Sequence, residues 1–213
     1  MIEKGVIQMK KDALILFQGD SITDVGRCRE DLYDLGPGYP KFVAQLLKKN
    51  HPDYRFINKG ISGDRTWELL DRWQEETLNL KPDFISILIG INDCWRRFDS
   101  DIPTSEQQYE ENYRKLLTQV KAMGTKIMII EPYLIHCEPT RAFWRIDLDP
   151  KIHVARKLAQ EFADIYLPLD GLFAAEFLHT PMKQFSEDGV HPTEDGHRFI
   201  ASAWVDAFEK FIK

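Results

Sequence analysis

Residues suited to acyl transfer stand near both ends of the chain. Asp20 and Ser21 follow an apolar run in FQGDSIT, and Asp188 and His191 are three positions apart in SEDGVHPTEDGH. A serine hydroxyl needs a base to take its proton, and that base needs a partner that fixes its tautomer. Histidine suits the task because its ordinary pKa of about 6.5 lies near the working pH. We therefore expect Ser21 to be the nucleophile, His191 the general base and Asp188 the group that orients the imidazole.

The same reaction needs hydrogen-bond donors aimed at the oxyanion that develops on the substrate. The sequence offers three candidates. They are the backbone N–H of Ser21, a glycine N–H in GISGDR and the side-chain amide of Asn92 in GINDCW. Of the two glycines in GISGDR, Gly63 is preferred over Gly60. These donors would form the oxyanion hole.

Each of these residues also has an ordinary structural explanation. Ser21 could begin a helix as its N-cap, since Asp and Ser are favoured there, and Asn92 could be a turn residue after a strand. Gly63 could serve only to supply a positive φ angle. We interpret Asp20 as a structural residue that orders its turn. The joint occurrence of the candidates favours a catalytic function over these separate explanations.

Short apolar runs alternate with amphipathic stretches along the chain. The pattern predicts strands at residues 13–17, 54–60, 83–93, 126–135 and 165–170. It predicts helices at residues 38–50, 66–78, 105–123, 150–163 and 193–211, with Trp67, Trp73 and Trp204 in the core. Alternation of strands and helices is typical of a doubly wound parallel sheet, in which ligands bind at the carboxyl ends of the strands. The polar residues that follow the strands are therefore expected to lie together.

Length and composition indicate one soluble globular enzyme domain over residues 1–213. Hydrophobic residues make up 43% of the chain and charged residues 29%. The net charge of −6, without a block of like charges, argues against nucleic acid or an anionic membrane surface as the main partner. The chain contains neither a G-x-G-x-x-G motif nor a Walker loop, and we expect no cofactor.

Cysteine usage and the N-terminus bear on the compartment. Cys28, Cys94 and Cys137 are widely spaced and form no C-x-x-C pair, which argues against a disulfide framework or a zinc cluster and fits a reducing compartment. Basic residues near the N-terminus precede an apolar run that covers only residues 13–17. That run is too short for the core of a signal peptide or for a membrane span. We predict a cytoplasmic protein.

Four short blocks of the sequence resemble those of the SGNH (GDSL) hydrolase family, in that family's order and across most of the chain. They are G-D-S at 19–21, G-I-S-G-D at 60–64, G-I-N-D at 90–93 and D-G-V-H-P at 188–192. The resemblance implies a flavodoxin-like three-layer α/β/α sandwich with a central five-stranded parallel sheet. It also implies an ester hydrolase that uses no metal, and the roles given above for Ser21, Gly63, Asn92, Asp188 and His191. Ile22, where the family name expects leucine, is a conservative departure.

Within that family, the stretches NKGISGD, IGINDCWRRFD and GDSITDVGR look most similar to those of intracellular acetylxylan (xylooligosaccharide) esterases. Such enzymes remove acetyl groups from short xylan fragments, and similar ones assemble as homo-oligomers. The resemblance thus implies a small-molecule or oligosaccharide ester as substrate, and it leaves homo-oligomerisation open.

Aromatic and basic residues near the proposed site are candidates for substrate contacts. Trp95 and Arg96 follow Asn92 in a predicted loop, and Tyr133 follows the fourth strand. Residues 133–148 read as a polar, irregular segment that could form a flap over the pocket, with Arg141 and Trp144 as weaker candidates. An ordinary surface loop or an oligomer contact would explain the same segment.

Other functions remain open at this point. A lysophospholipase or a thioesterase would use the same chemistry on a longer acyl group. A metallophosphoesterase could use the oxygen and nitrogen ligands of Asp20, Asn92, Asp93, Asp188 and His191, although paired histidine blocks are missing. A flavodoxin-like module that binds without turnover is the last alternative.

Overall fold

The computed structural model describes residues 9–212. A five-stranded sheet lies at its centre, with strands β1 (Leu14–Gly19), β2 (Arg55–Asn58), β3 (Phe84–Leu88), β4 (Lys126–Ile130) and β5 (Ile165–Leu167). The strand order is β2-β1-β3-β4-β5 and every pairing is parallel. This is the flavodoxin-like order, whose direction reverses between β1 and β3. Residues 1–8, which include basic residues used in the prediction about the N-terminus, lie outside the described residues.

Helices occupy most of the connections between the strands. They are α1 (Ser21–Asp24), α2 (Tyr39–Leu47), α3 (Thr66–Asp71), α4 (Trp73–Glu76), α5 (Ile91–Asp99), α6 (Glu106–Ala122), α7 (Arg145–Phe162), α8 (Leu169–Glu176), α9 (Met182–Phe185) and α10 (Glu194–Phe211). Two 3₁₀ turns cover Leu78–Leu80 and Pro139–Trp144.

Alternate residues of the strands point to opposite faces of the sheet, and each face carries its own core. Ile15 and Phe17 of β1 belong to a cluster with residues of α2 and α10. Leu14 and Leu16 of the same strand belong to a second cluster with residues of α3, α6 and α7. Because a strand's side chains alternate between its faces, a fully apolar strand requires helices on both sides. The predicted three-layer α/β/α sandwich is confirmed.

The third strand is shorter than predicted. It ends at Leu88 rather than at residue 93, and α5 begins at Ile91. Gly90, between the two, has a φ of 132°, and a Cβ at this position would lie 2.7 Å from the Tyr109 hydroxyl. Asn92, at the end of the predicted strand, and Trp95, in the predicted loop, therefore both lie in a helix.

Two helix predictions also need correction. The helix predicted at 66–78 is divided at Arg72, whose φ of −99° and ψ of 4° leave the helical region. The helix predicted from residue 150 begins earlier, at Arg145, and contains Pro150 in its interior. Trp67 is 42% exposed rather than in the core, because α3 turns Leu69 inward and Trp67 outward.

Within residues 9–212, no helix combines the length and the apolar character needed to cross a membrane. The same residues contain no group of three or more His, Cys, Asp or Glu side chains placed to hold a metal ion.

Candidate active site

The turn after β1 presents Ser21 at the carboxyl edge of the sheet. Asp20, which is fully buried, is the N-cap of α1, and its Oδ1 accepts a hydrogen bond from the Ile22 N–H at 3.0 Å. Ser21 is the first residue of that helix and is half-buried. Capping is therefore performed by Asp20, in agreement with its structural interpretation, and the Ser21 hydroxyl is left for another partner.

That partner is His191, in the loop between α9 and α10. The Ser21 Oγ lies 3.1 Å from His191 Nε2. On the other side of the ring, His191 Nδ1 lies 2.9 Å from Asp188 Oδ2. With the Nδ1 proton directed at the carboxylate, Nε2 accepts the hydrogen bond that the serine hydroxyl donates. The structure thus joins the three residues in the order that a nucleophile, a base and an orienting acid require.

The loop that carries Asp188 is held by its own hydrogen bonds. Asp188 Oδ1 accepts from the N–H of Val190 at 2.9 Å, from the N–H of His191 at 2.8 Å and from the Ser186 hydroxyl at 3.2 Å. The Ser186 hydroxyl, which we did not single out from the sequence, also lies 2.8 Å from the His191 carbonyl, so that its one proton serves either of these two acceptors. Its only signal was its place two residues before Asp188.

Tyr133 stabilises the loop that carries Asp188 and His191. Its side chain has no exposed surface, its ring lies 4.8 Å from that of Phe173, and its hydroxyl donates to the Val190 carbonyl at 2.8 Å. A substrate contact for Tyr133 is therefore a wrong prediction. The segment that follows β4 also contacts this loop. The Ile135 N–H donates a hydrogen bond to the Gly189 carbonyl at 2.8 Å.

Electrostatics favour a charged acid and a strengthened base. Burial acts to raise the pKa of Asp188, but hydrogen bonds from the His191 ring and from the N–H groups of His191 and Val190 outweigh it and hold that pKa well below its usual range. The hydrogen bond to Asp188 raises the pKa of His191, and burial opposes this effect. Asp188 is thus ionised at neutral pH, and the imidazole has increased affinity for a proton.

Two backbone donors near the serine differ in availability. Gly60 donates its N–H to Asn58 Oδ1 at 2.9 Å, so that donor is occupied. Gly63 is exposed and has a φ of 92°. Within residues 9–212 no acceptor contacts its N–H or that of Ser21, which begins α1. The preference for Gly63 over Gly60 agrees with this geometry.

Asn92 lies beside the loop that follows β2, which carries Gly60 and Gly63. It is buried in the first turn of α5, and its Nδ2 donates to the carbonyl of Asp64 at 3.1 Å. The amide has a second N–H, which this contact does not use. Because the Ile61 N–H bonds the Gly19 carbonyl, the loop that follows β2 runs alongside the end of β1. The donors from three strand ends therefore share one edge of the sheet.

Buried carboxylates tie these strand ends together. Asp93, next to Asn92, accepts hydrogen bonds from the Thr66 N–H at 3.0 Å and the Thr66 hydroxyl at 2.7 Å, which joins α5 to α3. Burial raises the pKa of Asp93 to about 7, and it raises the pKa of Asp20 to about 7 as well. The sequence offered Asp93 as a possible metal ligand and gave no signal for its contact with Thr66.

Trp95 lies next to the base, on the helix that carries Asn92. Its ring centroid is 5.7 Å from that of His191. Guanidinium groups lie against the Trp95 ring at 4.4 Å for Arg141 and 5.5 Å for Arg96. Arg96 also pairs with Asp99. Trp95 is thus placed beside the proposed site, whereas Arg96 contacts Trp95 and Asp99.

The segment predicted as an irregular flap is ordered and anchored. Residues 133–148 contain the 3₁₀ turn Pro139–Trp144 and the start of α7. Trp144 is buried, and Arg145 pairs with Asp170 at 2.7 Å. Arg141 Nη1 donates to the carbonyl of Asp188 and to its Oδ2. Two arginines of the segment therefore form ion pairs with carboxylates outside it, those of Asp170 and Asp188, which composition could not reveal.

Fold and site geometry together describe a hydrolase-type centre, in which a serine, a histidine and an aspartate meet at the carboxyl end of a parallel sheet. A model of the GDSL-like lipase/acylhydrolase family matches residues 17–199. The chain belongs to this family and is a GDSL-type esterase or acylhydrolase. The family resemblance carried by the four sequence blocks is confirmed.

Individual relatives lie at about 30% identity. An acetylxylan esterase from Geobacillus stearothermophilus is 32% identical over 201 residues, which are 90% of this chain and 91% of that protein. Thioesterase 1/protease 1/lysophospholipase L1 from Escherichia coli (strain K12) is 29% identical over 70% of this chain and 64% of its own.

Solved structures show the same fold. The crystal structure of a GDSL-like lipase from Parabacteroides merdae superposes with a TM-score of 0.90 at 35% identity and covers 95% of this chain and 98% of its own. The crystal structure of an acetylxylan esterase from Geobacillus stearothermophilus superposes with a TM-score of 0.85 at 31% identity. The match covers 94% of this chain and 96% of that protein.

Proposed function

We propose that this protein is a serine esterase that removes short acyl groups, above all acetyl, from a carbohydrate such as a xylooligosaccharide. The observation that carries the proposal is the contact of 3.1 Å between Ser21 Oγ and His191 Nε2, on a ring whose other nitrogen lies 2.9 Å from Asp188 Oδ2. This arrangement activates a hydroxyl for attack on an ester carbonyl without a cofactor.

The reaction proceeds through an acyl-enzyme. The Ser21 oxygen attacks the ester carbonyl while His191 Nε2 takes its proton, and the carbonyl oxygen becomes an oxyanion. The N–H groups of Ser21 and Gly63 and the Asn92 amide donate to that oxyanion. Collapse breaks the bond to the sugar oxygen, which takes the proton from His191. A water molecule then repeats the sequence and releases the carboxylic acid.

An open, partly aromatic surface supports a carbohydrate as the alcohol component. The His191 side chain is 47% exposed, so a large leaving group has access to Nε2. Trp95, half-buried beside it, offers an apolar edge of the kind that packs against sugar rings. The relative from Geobacillus stearothermophilus that bears the name acetylxylan esterase supports acetyl as the acyl group.

A longer acyl group is the second candidate. The relative named thioesterase 1/protease 1/lysophospholipase L1 supports it, since it is 29% identical to this chain over 149 aligned residues. Against it, the Trp95 ring beside the base carries two guanidinium groups, those of Arg96 and Arg141, and such charged neighbours suit a polar substrate better than a long apolar chain. A series of 4-nitrophenyl esters separates the two candidates: falling kcat/KM beyond C4 supports the short acyl group, and preference for C8 or longer supports the second candidate.

Covalent labelling tests the nucleophile. We expect a serine-directed phosphonate to add one adduct mass, mapped to the peptide that contains Ser21, with loss of activity in proportion to labelling. Ser21→Ala should neither label nor hydrolyse 4-nitrophenyl acetate, whereas Ser202→Ala, at an exposed position on α10, should behave like the wild type. Stoichiometric labelling on another peptide, or full turnover by Ser21→Ala, contradicts the proposed mechanism.

Acetate release tests the substrate. Incubation with acetylated xylooligosaccharides should release acetate at a higher kcat/KM than 4-nitrophenyl acetate at equal pH, because binding of the sugar contributes to transition-state stabilisation. No release of acetate from any acetylated oligosaccharide, with turnover of the nitrophenyl ester retained, would remove the carbohydrate from the proposal and leave the esterase.

A further inference from the structure

Arg141 connects a distant segment to the proposed base. It lies on the 3₁₀ turn Pro139–Trp144, between β4 and α7, and its side chain is only 20% exposed. Its Nη1 donates to the Asp188 carbonyl at 2.7 Å and to Asp188 Oδ2 at 3.0 Å. One guanidinium nitrogen therefore bonds both the backbone carbonyl and the carboxylate of Asp188, the residue that orients His191.

The two oxygens of Asp188 have different partners. Oδ1 is held by donors from within its own loop, which are the N–H groups of Val190 and His191 and the Ser186 hydroxyl. Oδ2 is shared by His191 Nδ1 and Arg141 Nη1. Arg141 is the contact to Oδ2 that comes from outside the loop, so it fixes the carboxylate against rotation and competes with the imidazole for its charge.

The same guanidinium organises the aromatic side of the site. It lies 4.4 Å from the centroid of the Trp95 ring and 5.0 Å from that of Trp144. These two rings are 5.2 Å apart, and Trp95 in turn lies 5.7 Å from the His191 ring. Cation–π contacts of this kind are strengthened when the cation is partly desolvated.

We propose that Arg141 is a positioning residue of the esterase reaction, which holds the Asp188 carboxylate and the Trp95 ring in place around His191. The proposal rests on the proposed triad of Ser21, His191 and Asp188. It replaces the sequence-based hypothesis that Arg141 contacts substrate, because the guanidinium is already engaged by Asp188 and two aromatic rings.

The charged groups around His191 set the direction of the expected effect. The hydrogen bond to Asp188 raises the pKa of His191, the charge of Asp20 adds to this effect, and the charge of Arg141 lowers it. Burial lowers the pKa of His197, and the charge of His191 lowers it further. Loss of the Arg141 charge leaves Asp188 held through Oδ1 and directs its full charge at His191. Such a loss should therefore raise the pKa of His191.

Two substitutions separate charge from geometry. Arg141→Met removes the charge and the hydrogen bonds while keeping an apolar contact to the rings. We expect kcat for 4-nitrophenyl acetate to fall by about tenfold to a hundredfold, as for a small misplacement of a catalytic group. The acid limb of the kcat/KM profile should move to higher pH. Arg141→Lys keeps the charge but loses the planar fork, so kcat should recover in part and the acid limb should return toward the wild-type position.

Other outcomes would overturn the proposal. Wild-type kcat and an unmoved acid limb in Arg141→Met show that Arg141 does not position the base, and a raised KM with unchanged kcat shows a substrate contact. Equal loss in both variants, with lower melting temperatures and no movement of the acid limb, shows a purely structural role. Arg198→Gln, which removes an exposed arginine paired with Glu194, is the matched control. Phosphonate labelling of wild-type Ser21 establishes separately whether the triad itself stands.

Discussion

Ser21 and His191 are 170 positions apart in the chain, yet Ser21 Oγ and His191 Nε2 lie 3.1 Å apart. The serine is held at the end of β1 by the Asp20 cap, and the histidine is held by the loop before α10. The two segments belong to different elements, at the first strand and before the last helix. Their meeting therefore depends on the whole sheet and on the supports of the loop, and each support is open to a separate test.

Asp188→Asn should abolish most of the activity without unfolding the protein. The amide oxygen still accepts from the loop N–H groups, but the NH₂ group in place of Oδ2 no longer accepts the His191 Nδ1 proton, so the wrong tautomer faces Ser21. We expect kcat to fall by about 10⁴-fold, as in serine proteases with this change. Steady-state kinetics measures kcat, and circular dichroism measures whether the variant is folded. A fall in kcat of less than tenfold in a folded variant would speak against Asp188 as the orienting acid.

The pH profile should report the raised proton affinity of His191. Its pKa is raised chiefly by the hydrogen bond to Asp188, and only the neutral ring accepts the serine proton. Activity is therefore lost as pH falls through a value above the ordinary histidine pKa of about 6.5. A plot of kcat/KM for 4-nitrophenyl acetate from pH 5 to 9 measures this, and an acid limb centred well below 6.5 would contradict the direction.

Asn92→Ala should lower kcat more than it lowers stability. Removal of one oxyanion donor costs about a hundredfold to a thousandfold in kcat. The lost hydrogen bond to the Asp64 carbonyl should reduce the free energy of unfolding by only about 1 kcal/mol. Asn50→Ala, at an exposed position after α2, is the control for both measurements. Normal kcat in Asn92→Ala would remove its amide from the oxyanion hole.

Tyr133→Phe should affect stability and leave substrate affinity unchanged. The substitution removes the hydroxyl that donates to the buried Val190 carbonyl, at a cost of about 1–3 kcal/mol in the free energy of unfolding. Because the side chain has no exposed surface, KM should stay at the wild-type value. Urea unfolding and steady-state kinetics provide the readouts. An unchanged unfolding midpoint with a raised KM would restore the original prediction of a substrate contact.

Gly60→Ala and Gly63→Ala should fail in different ways. A Cβ on Gly60 would lie 2.6 Å from the Asp24 nitrogen and 2.9 Å from Thr23, so we expect a loss of about 1–3 kcal/mol or more in stability. A Cβ on Gly63 meets nothing within 4 Å, although a φ of 92° strains any other residue. The main effect of Gly63→Ala should be on kcat. If instead Gly60→Ala lowers kcat and Gly63→Ala lowers the melting temperature, Gly60 rather than Gly63 is the oxyanion donor.

Local pattern was sufficient for much of the architecture. The strand at Ala13–Phe17 and the helix ending near Phe211 were predicted close to their observed bounds, because apolar periodicity is a property of neighbouring residues. The third strand was predicted too long, since Ile89 and Ile91 continue the apolar run. Its end is imposed by Gly90, whose backbone passes against the Tyr109 hydroxyl of α6. That contact joins residues far apart in sequence.

The sequence by itself determined the α/β class, the family and the residue types at the site, because the motifs of such a centre are short and contiguous. Tertiary structure alone decided which polar residues work together. Tyr133 and Arg141 carry the same kinds of group as residues that bind substrates, and only packing shows that both are turned onto the loop of Asp188 and His191. Long-range contacts set the partner of each side chain, and no local pattern records them.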